Sequence, residues 1–269
     1  MYSPSIVVVA HSTHSFIHAL TMPPKVIFFD LMGTCCDWLS SLLPVLHTCP
    51  THPSLEPKDV KLRALSIAWR EGFFAEIHAR FEQGLQQEDI DITHRRVLDR
   101  LLDQWSIGLD MWPTELRAKL VKQWHVQKPW PDVIPALTTL RDQSDMFLVV
   151  LANGTTRLQL DIASSFNIPF HTLLSSELLG LTKPDPRMYR RAMELVRCDP
   201  NECVMLASHA YDLEAAKGVG MRTVYVRRET EDVGLVVEEG GFVDLCVDGR
   251  GGGVTGGFGE AVKVLLEEG

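Results

Sequence analysis

What the chain lacks narrows its function first. None of its six cysteines (Cys35, Cys36, Cys49, Cys198, Cys203, Cys246) forms a Cys-x-x-Cys pair, and no histidines stand beside them at zinc-ligand spacing. The sequence therefore argues against a structural zinc or a disulfide framework, and it predicts reduced thiols in a cytoplasmic protein. No apolar run approaches the length of a membrane span. Basic residues are scarce, with 26 Lys and Arg against 35 Asp and Glu and a formal net charge of -9. Nucleic acid and anionic membrane surfaces would be repelled, which leaves a small-molecule substrate as the expected partner. No Lys or Arg precedes Lys25, and the apolar stretch from Ile6 to Ala10 is cut short at His11, so no export signal is expected. Residues 1–21 read as a poorly ordered extension, with Met22 as an alternative start.

What is present is organised around the stretch from Val26 to Trp38. A short apolar run ends in Asp30, and Gly33 and Thr34 follow at once. That order predicts a buried strand delivering Asp30 to its carboxyl end, where Gly33 lets the chain turn and leaves the carboxylate open to a ligand. Ligands of open parallel sheets bind at that edge.

From Trp38 to Trp130 the periodicity is helical. Leu62, Leu65, Trp69, Phe73, Ile77 and Phe81 predict one amphipathic helix, Val97 to Trp105 a second, and Leu116, Leu120 and Trp124 a third, N-capped by Thr114. Five of the six tryptophans lie between residues 69 and 130, which predicts an apolar helical lid and a face for a possible homodimer. Beyond Trp130 strand and helix alternate, as a parallel sheet with crossover helices requires. Helices are expected from Pro131, through Leu158, Ile162 and Phe166, through Met188 to Val196, up to Gly218 or Gly220, and from Glu260 to Leu266. Strands are expected at Met146 to Leu151, Phe170 to Leu174, Cys203 to Ala207, Arg222 to Val226 and Phe242 to Val247. The predicted fold is α/β, a Rossmann-like parallel sheet core with an inserted helical cap: residues 22–37 and 131–269 form the core, and 38–130 the cap.

Asp30-x-x-Gly33-Thr34, Asn153-Gly154, Lys183-Pro184 and Asp212 stand in order at or near predicted strand ends. Four motifs in this order resemble those of the haloacid dehalogenase superfamily. Phosphatases of that superfamily carry a second aspartate two positions after the nucleophile and an acidic magnesium ligand four residues before the last aspartate; here Met32 and Ser208 occupy those places. Magnesium demands several oxygen ligands in near-octahedral array, so the resemblance points away from a phosphatase and from any metal or other cofactor. It points instead to the metal-free 2-haloacid dehalogenases, and the opening around Asp30 looks most like fungal members of that group. Trp69-Arg70 matches the position of their halide-binding arginine, and Tyr189 matches their tyrosine.

The mechanism this resemblance implies is covalent. Asp30 would displace halide from the alpha carbon of a short haloacid and form an ester that water then hydrolyses. Lys183 would keep Asp30 ionised, Thr34 would hydrogen-bond it, and Asp212 would position the water; Arg70 and Asn153 would receive the halide, with Trp69, Met32 and Tyr189 beside the substrate. Ala152, Ala207 and His209 replace two serines and an asparagine of that group, each lost contact costing about 1 to 3 kcal/mol. His209 is a candidate replacement that would orient water or act as a base. The alternative expectation is a biosynthetic enzyme of fungal secondary metabolism, a cyclase or pericyclase folding an apolar substrate in a tryptophan-rich pocket under the cap.

Overall fold

The computed structural model describes residues 24–86, 88–237 and 241–267; the N-terminal extension and Met22 lie outside the described residues. Strand β1 (Val26–Phe29) is fully buried, which is why its apolar run shows no alternation. The chain leaves it through Asp30 and the short strand β2 (Cys36–Asp37), and it returns through β3 (Lys128–Pro129), which pairs with β2 antiparallel. Between them lie four helices: α1 (Trp38–Leu46), α2 (Lys58–Glu82), α3 (Ile90–Gln104) and α4 (Thr114–Gln123). The stripe on α2 serves two purposes. Leu62, Leu65, Trp69 and Phe73 are buried in the helical cluster, whereas Ile77 is half-buried and Phe81 exposed where the helix overhangs the sheet edge. Helix α4 is not capped by Thr114. Pro113 precedes its first turn without a side-chain cap, and the Thr114 hydroxyl accepts from Arg117 at 3.3 Å instead.

The remaining chain builds the sheet. It runs through α5 (Val133–Gln143), β4 (Phe147–Ala152), α6 (Thr156–Ser165), β5 (Thr172–Ser175), α7 (Ser176–Leu179), α8 (Pro186–Val196), β6 (Cys203–Ala207), α9 (Ala210–Gly218), β7 (Arg222–Arg227), β8 (Leu245–Asp248) and α10 (Phe258–Glu267). The first helix after Trp130 thus begins at Val133, two residues past Pro131, and the strands expected from Phe170 and Phe242 begin at Thr172 and Leu245. The order is β5-β4-β1-β6-β7-β8, with every pairing parallel.

Alternate strand residues feed two cores. Ile27, Phe29, Leu148, Val150, Val204 and Leu206 pack with α5 and α10, while Val26, Phe28, Val149, Leu151 and Met205 pack with α8 and α9. Burial on both faces leaves the ends of the strands for polar chemistry, and β1 at the centre of the sheet brings Asp30 to the carboxyl edge, where ligands of open parallel sheets bind. No helix among the described residues is long and apolar enough to cross a membrane.

Candidate active site

Asp30 continues the β1 ladder by one residue, its amide donating to the Leu206 carbonyl at 3.1 Å. The chain then folds back sharply: the amides of Cys35 and Cys36 both donate to the Leu31 carbonyl, and Gly33 takes φ +86°, a left-handed conformation that suits glycine. This turn carries Thr34 back under Asp30, so that its hydroxyl donates to Asp30 Oδ2 at 2.7 Å and accepts from the Ser208 amide at 2.9 Å. Lys183 arrives on the loop before α8 and donates to Asp30 Oδ1 at 2.8 Å. His209, in the turn between β6 and α9, places Nδ1 3.1 Å from Asp30 Oδ2.

The charges continue past these neighbours in both directions. Lys183 also bonds Asp212, and Tyr189 donates to the other Asp212 oxygen at 2.6 Å. On the far side, His209 Nε2 lies 2.7 Å from Glu231 Oε2, which is 3.6 Å from Arg70 of α2. The result is one buried chain in which acidic and basic groups alternate, Asp212, Lys183, Asp30, His209, Glu231, Arg70, with three carboxyl groups facing three basic ones; burial and the nearby Asp30 carboxylate raise the pKa of Asp212 against the pull of Lys183. Such a chain is tolerable in the interior because every charge has an opposite neighbour.

The ionisation of its members follows from that order. Burial disfavours the Asp30 carboxylate, but the Lys183 ammonium and the His209 imidazole outweigh it and hold the group well below the ordinary carboxylate range. Burial likewise opposes charge on His209, and hydrogen bonds to Asp30 and Glu231 overcome it, raising the imidazole to about 10. Glu231, also buried, is pulled down to about 2 by Arg70, His209 and the Trp38 indole. Burial works against the Lys183 charge too, yet Asp212 and Asp30 raise its pKa.

Asp30 opens on a chamber of about 40 Å³, walled by Leu31, Met32, Arg70, Phe74, Asn153 and His209 among others. A cleft of about 600 Å³ between α2 and the loops after β4 and β5 adjoins it, sharing Phe73, Ile77, Ile90 and Asn153. A second cleft, about 450 Å³, lies behind the wall of Arg70, Phe74, His209 and Tyr211.

The structure sorts the residues expected from sequence into groups. Asp30, Met32, Arg70, Asn153 and His209 line the chamber. Thr34 and Lys183 touch Asp30 from beneath it. Asp212 and Tyr189, both fully buried, stand one layer further back, Asp212 holding Lys183 and Tyr189 holding Asp212, rather than facing the chamber. The Asn153 side chain is occupied by the Lys183 backbone, accepting from its amide at 2.8 Å and donating to its carbonyl at 3.1 Å. Trp69 is not at the chamber. Its indole donates to the His94 carbonyl at 2.9 Å and packs edge-on against Trp124 inside the cap. The tryptophans expected to line a pocket pack in the hydrophobic core instead, Trp130 donating to the Gly33 carbonyl at 2.8 Å. They leave Phe73, Phe74, Ile77 and Ile90 as the apolar wall.

Glu231 was missed by the sequence reading, as was Trp38, whose indole donates to Glu231 Oε1 at 2.6 Å. Glu231 belongs to no motif. The signal available was its place a few residues past β7, at the same carboxyl edge as Asp30.

These donors do not suit magnesium. Both Asp30 oxygens are engaged, Met32 offers a thioether whose own carbonyl accepts from Arg70 at 3.3 Å, and Ser208 supplies only a hydroxyl where a carboxylate would be needed.

A family model described as haloacid dehalogenase-like hydrolase matches residues 24–220. The chain belongs to that family. Glyceraldehyde 3-phosphate phosphatase of Methanopyrus kandleri is 30% identical over 179 residues, covering 60% of this chain and 76% of the relative. (S)-2-haloacid dehalogenase 1 of Pseudomonas sp. (strain CBS-3) is 24% identical over 210 residues, covering 77% and 86%. Among solved structures, the L-2-haloacid dehalogenase PA0810 superposes with a TM-score of 0.74 at 28% identity, covering 91% of this chain and 99% of the other. The defluorinating L-2-haloacid dehalogenase Rha0230 gives 0.75 at 25% identity, covering 90% and 95%. The relatives thus include both phosphatases and dehalogenases, and the chamber must discriminate between them.

Proposed function

We propose that this haloacid dehalogenase-like hydrolase cleaves the carbon-halogen bond of a small 2-haloacid through an ester on Asp30. The observation that carries the reading is the Asp30 carboxylate pinned by Lys183 and Thr34 at the edge of a chamber that Met32 lines, with neither Met32 nor Ser208 supplying a carboxylate for magnesium. A carboxylate held below its ordinary range stays anionic without a metal, and a fixed orientation aims it at carbon. Displacement gives the aspartyl ester and a free halide, which Arg70 is placed to receive at the chamber wall. The turns at Leu31 and Met32 and at Ala152 and Asn153 would supply amides to the substrate carboxylate. Asp212 and Tyr189 act through Lys183, so the attacking water must be handled by a group that reaches the chamber.

The space directly at Asp30, about 40 Å³, holds only a few water molecules, so the part of a substrate that reaches the carboxylate is small, as a two- or three-carbon acid is. Closure of α2 over the site excludes bulk water until the ester has formed. The test is halide release from chloro-, bromo- and fluoroacetate, with Asp30→Asn as control. Release by the wild type and none by the variant is expected; equal release by both, or none by either, would reject the reading.

A further inference from the structure

The dyad of His209 and Glu231 is, we infer, the general base that hydrolyses the ester on Asp30, switched on when the ester forms. This rests on the covalent reading above and assigns its second half. Three observations carry it. His209 is the imidazole that both touches Asp30 and lines the chamber, with Nδ1 toward the carboxylate and Nε2 toward Glu231. Glu231 is itself buried and fixed by Trp38 and Thr230, so it holds the proton on Nε2 and leaves Nδ1 as the atom that gains or loses one. Asp212, the other carboxylate near the nucleophile, is consumed by Lys183 and Tyr189.

The switch follows from the charges around the ring. In the resting protein the groups facing His209 are Asp30 after β1, Glu231 and Asp232 after β7, Arg70 and His78 on α2, Tyr211 on α9, and Lys183 beyond Asp30. Two carboxylates in contact with it keep the imidazole protonated, a state that cannot take a proton from water. Attack by Asp30 forms the carbon-oxygen bond, expels the halide with the bonding pair and removes one of those two negative charges. The balanced chain then carries one excess positive charge, and His209 releases its Nδ1 proton to solvent, for which the 450 Å³ cleft behind it offers a route.

Neutral Nδ1 next takes a proton from a water that adds to the Asp30 carbonyl carbon. Collapse of the tetrahedral adduct breaks the bond between the Asp30 carbonyl carbon and the ester oxygen and releases the 2-hydroxy acid, whose hydroxyl takes its proton from His209. The acid proton of Asp30 then returns the imidazole to its resting charge. Haloacid and water become hydroxy acid, halide and one proton, and nothing is oxidised or reduced.

The experiment is rapid mixing of chloroacetate with wild type, His209→Gln and Glu231→Gln, following halide release and the intact mass of the protein. His209→Gln is expected to give a stoichiometric burst of halide and to accumulate Asp30 esterified with one carboxymethyl group, with steady turnover down about 10²- to 10⁴-fold. Glu231→Gln, a positioning change, should slow ester hydrolysis with ester formation little altered, and should change the pH dependence of hydrolysis alone. The burst itself reports that the variants are folded. Steady turnover by His209→Gln at the wild-type rate, or loss of the burst together with hydrolysis in both variants, overturns the inference while leaving the covalent reading standing. Absence of halide release by the wild type overturns both.

Discussion

Glu231 stands where a side chain on Gly33 would have to go. A Cβ built on that glycine collides with the Glu231 carboxylate, although the two residues are separated by almost the whole sheet in sequence. Gly33 therefore does more than turn the chain after Asp30: its missing side chain is the space in which the carboxylate supporting His209 is buried. Gly33→Ala is expected to destabilise the protein by about 2 to 4 kcal/mol, from a non-glycine residue at positive φ together with the collision. Urea unfolding checks the stability, and the same variant should lose hydrolysis before it loses ester formation.

Tyr189 sits behind Lys183 and donates to Asp212 at 2.6 Å without reaching the chamber. Tyr189→Phe removes one buried hydrogen bond to a charged group and should cost about 1.5 to 3 kcal/mol of stability. Because no substrate touches the hydroxyl, kcat is expected to fall several-fold with KM unchanged. A rise in KM at constant kcat would instead mark Tyr189 as a substrate contact.

Ile90 closes the chamber from the start of α3 and packs near Gly154. Ile90→Ala should cost about 2 to 5 kcal/mol of stability, as buried truncations do. It should also raise kcat/KM for four- and five-carbon 2-haloacids relative to haloacetates. An unchanged ratio would show that another wall limits substrate length.

His125 links α3 to α6. Nδ1 lies 2.8 Å from Asp161 of α6 and Nε2 lies 2.9 Å from Asp91 of α3. The hydrogen bond to Asp91 is the main influence raising its pKa, against the opposing effect of burial. A histidine raised on folding contributes stability that is fully present below its unfolded value, about 6.5, and is lost as pH rises through the folded one. His125→Ala should therefore lower Tm more at pH 6 than at pH 9. His209, raised to about 10, adds to the same alkaline loss in the wild type.

The sequence already carried the sheet and the carboxyl edge that holds Asp30, because both rest on local signals. An apolar run ending in Asp30, the Asn153-Gly154 turn and the Lys183-Pro184 pair each announce themselves within a few residues. The partners of those residues were harder to read. Asp212 was expected to position water and Tyr189 to stand beside the substrate, but their side chains are taken up by Lys183 and by one another, and Asn153, which does line the chamber, is bonded to the Lys183 backbone; that depends on rotamers no spacing reveals. Trp69 and Arg70 were placed at the site together; one step along a helix is a rotation of about 100°, which turns Trp69 toward Trp124 and His94 while Arg70 lines the chamber with Asp30. Glu231 was invisible because its importance comes from contacts with Gly33, Trp38 and Arg70, far earlier in the chain.

The central claim is that Asp30 becomes covalently bonded to substrate. A single turnover of excess protein with chloroacetate in ¹⁸O-enriched water, followed by mass analysis of the peptide containing Asp30, tests it directly. Hydrolysis of the ester at the aspartate carbonyl predicts ¹⁸O in the Asp30 carboxylate and none in the glycolate first released. Label in the glycolate with an unlabelled Asp30 would mean that water attacks the substrate carbon directly, and it would contradict the account.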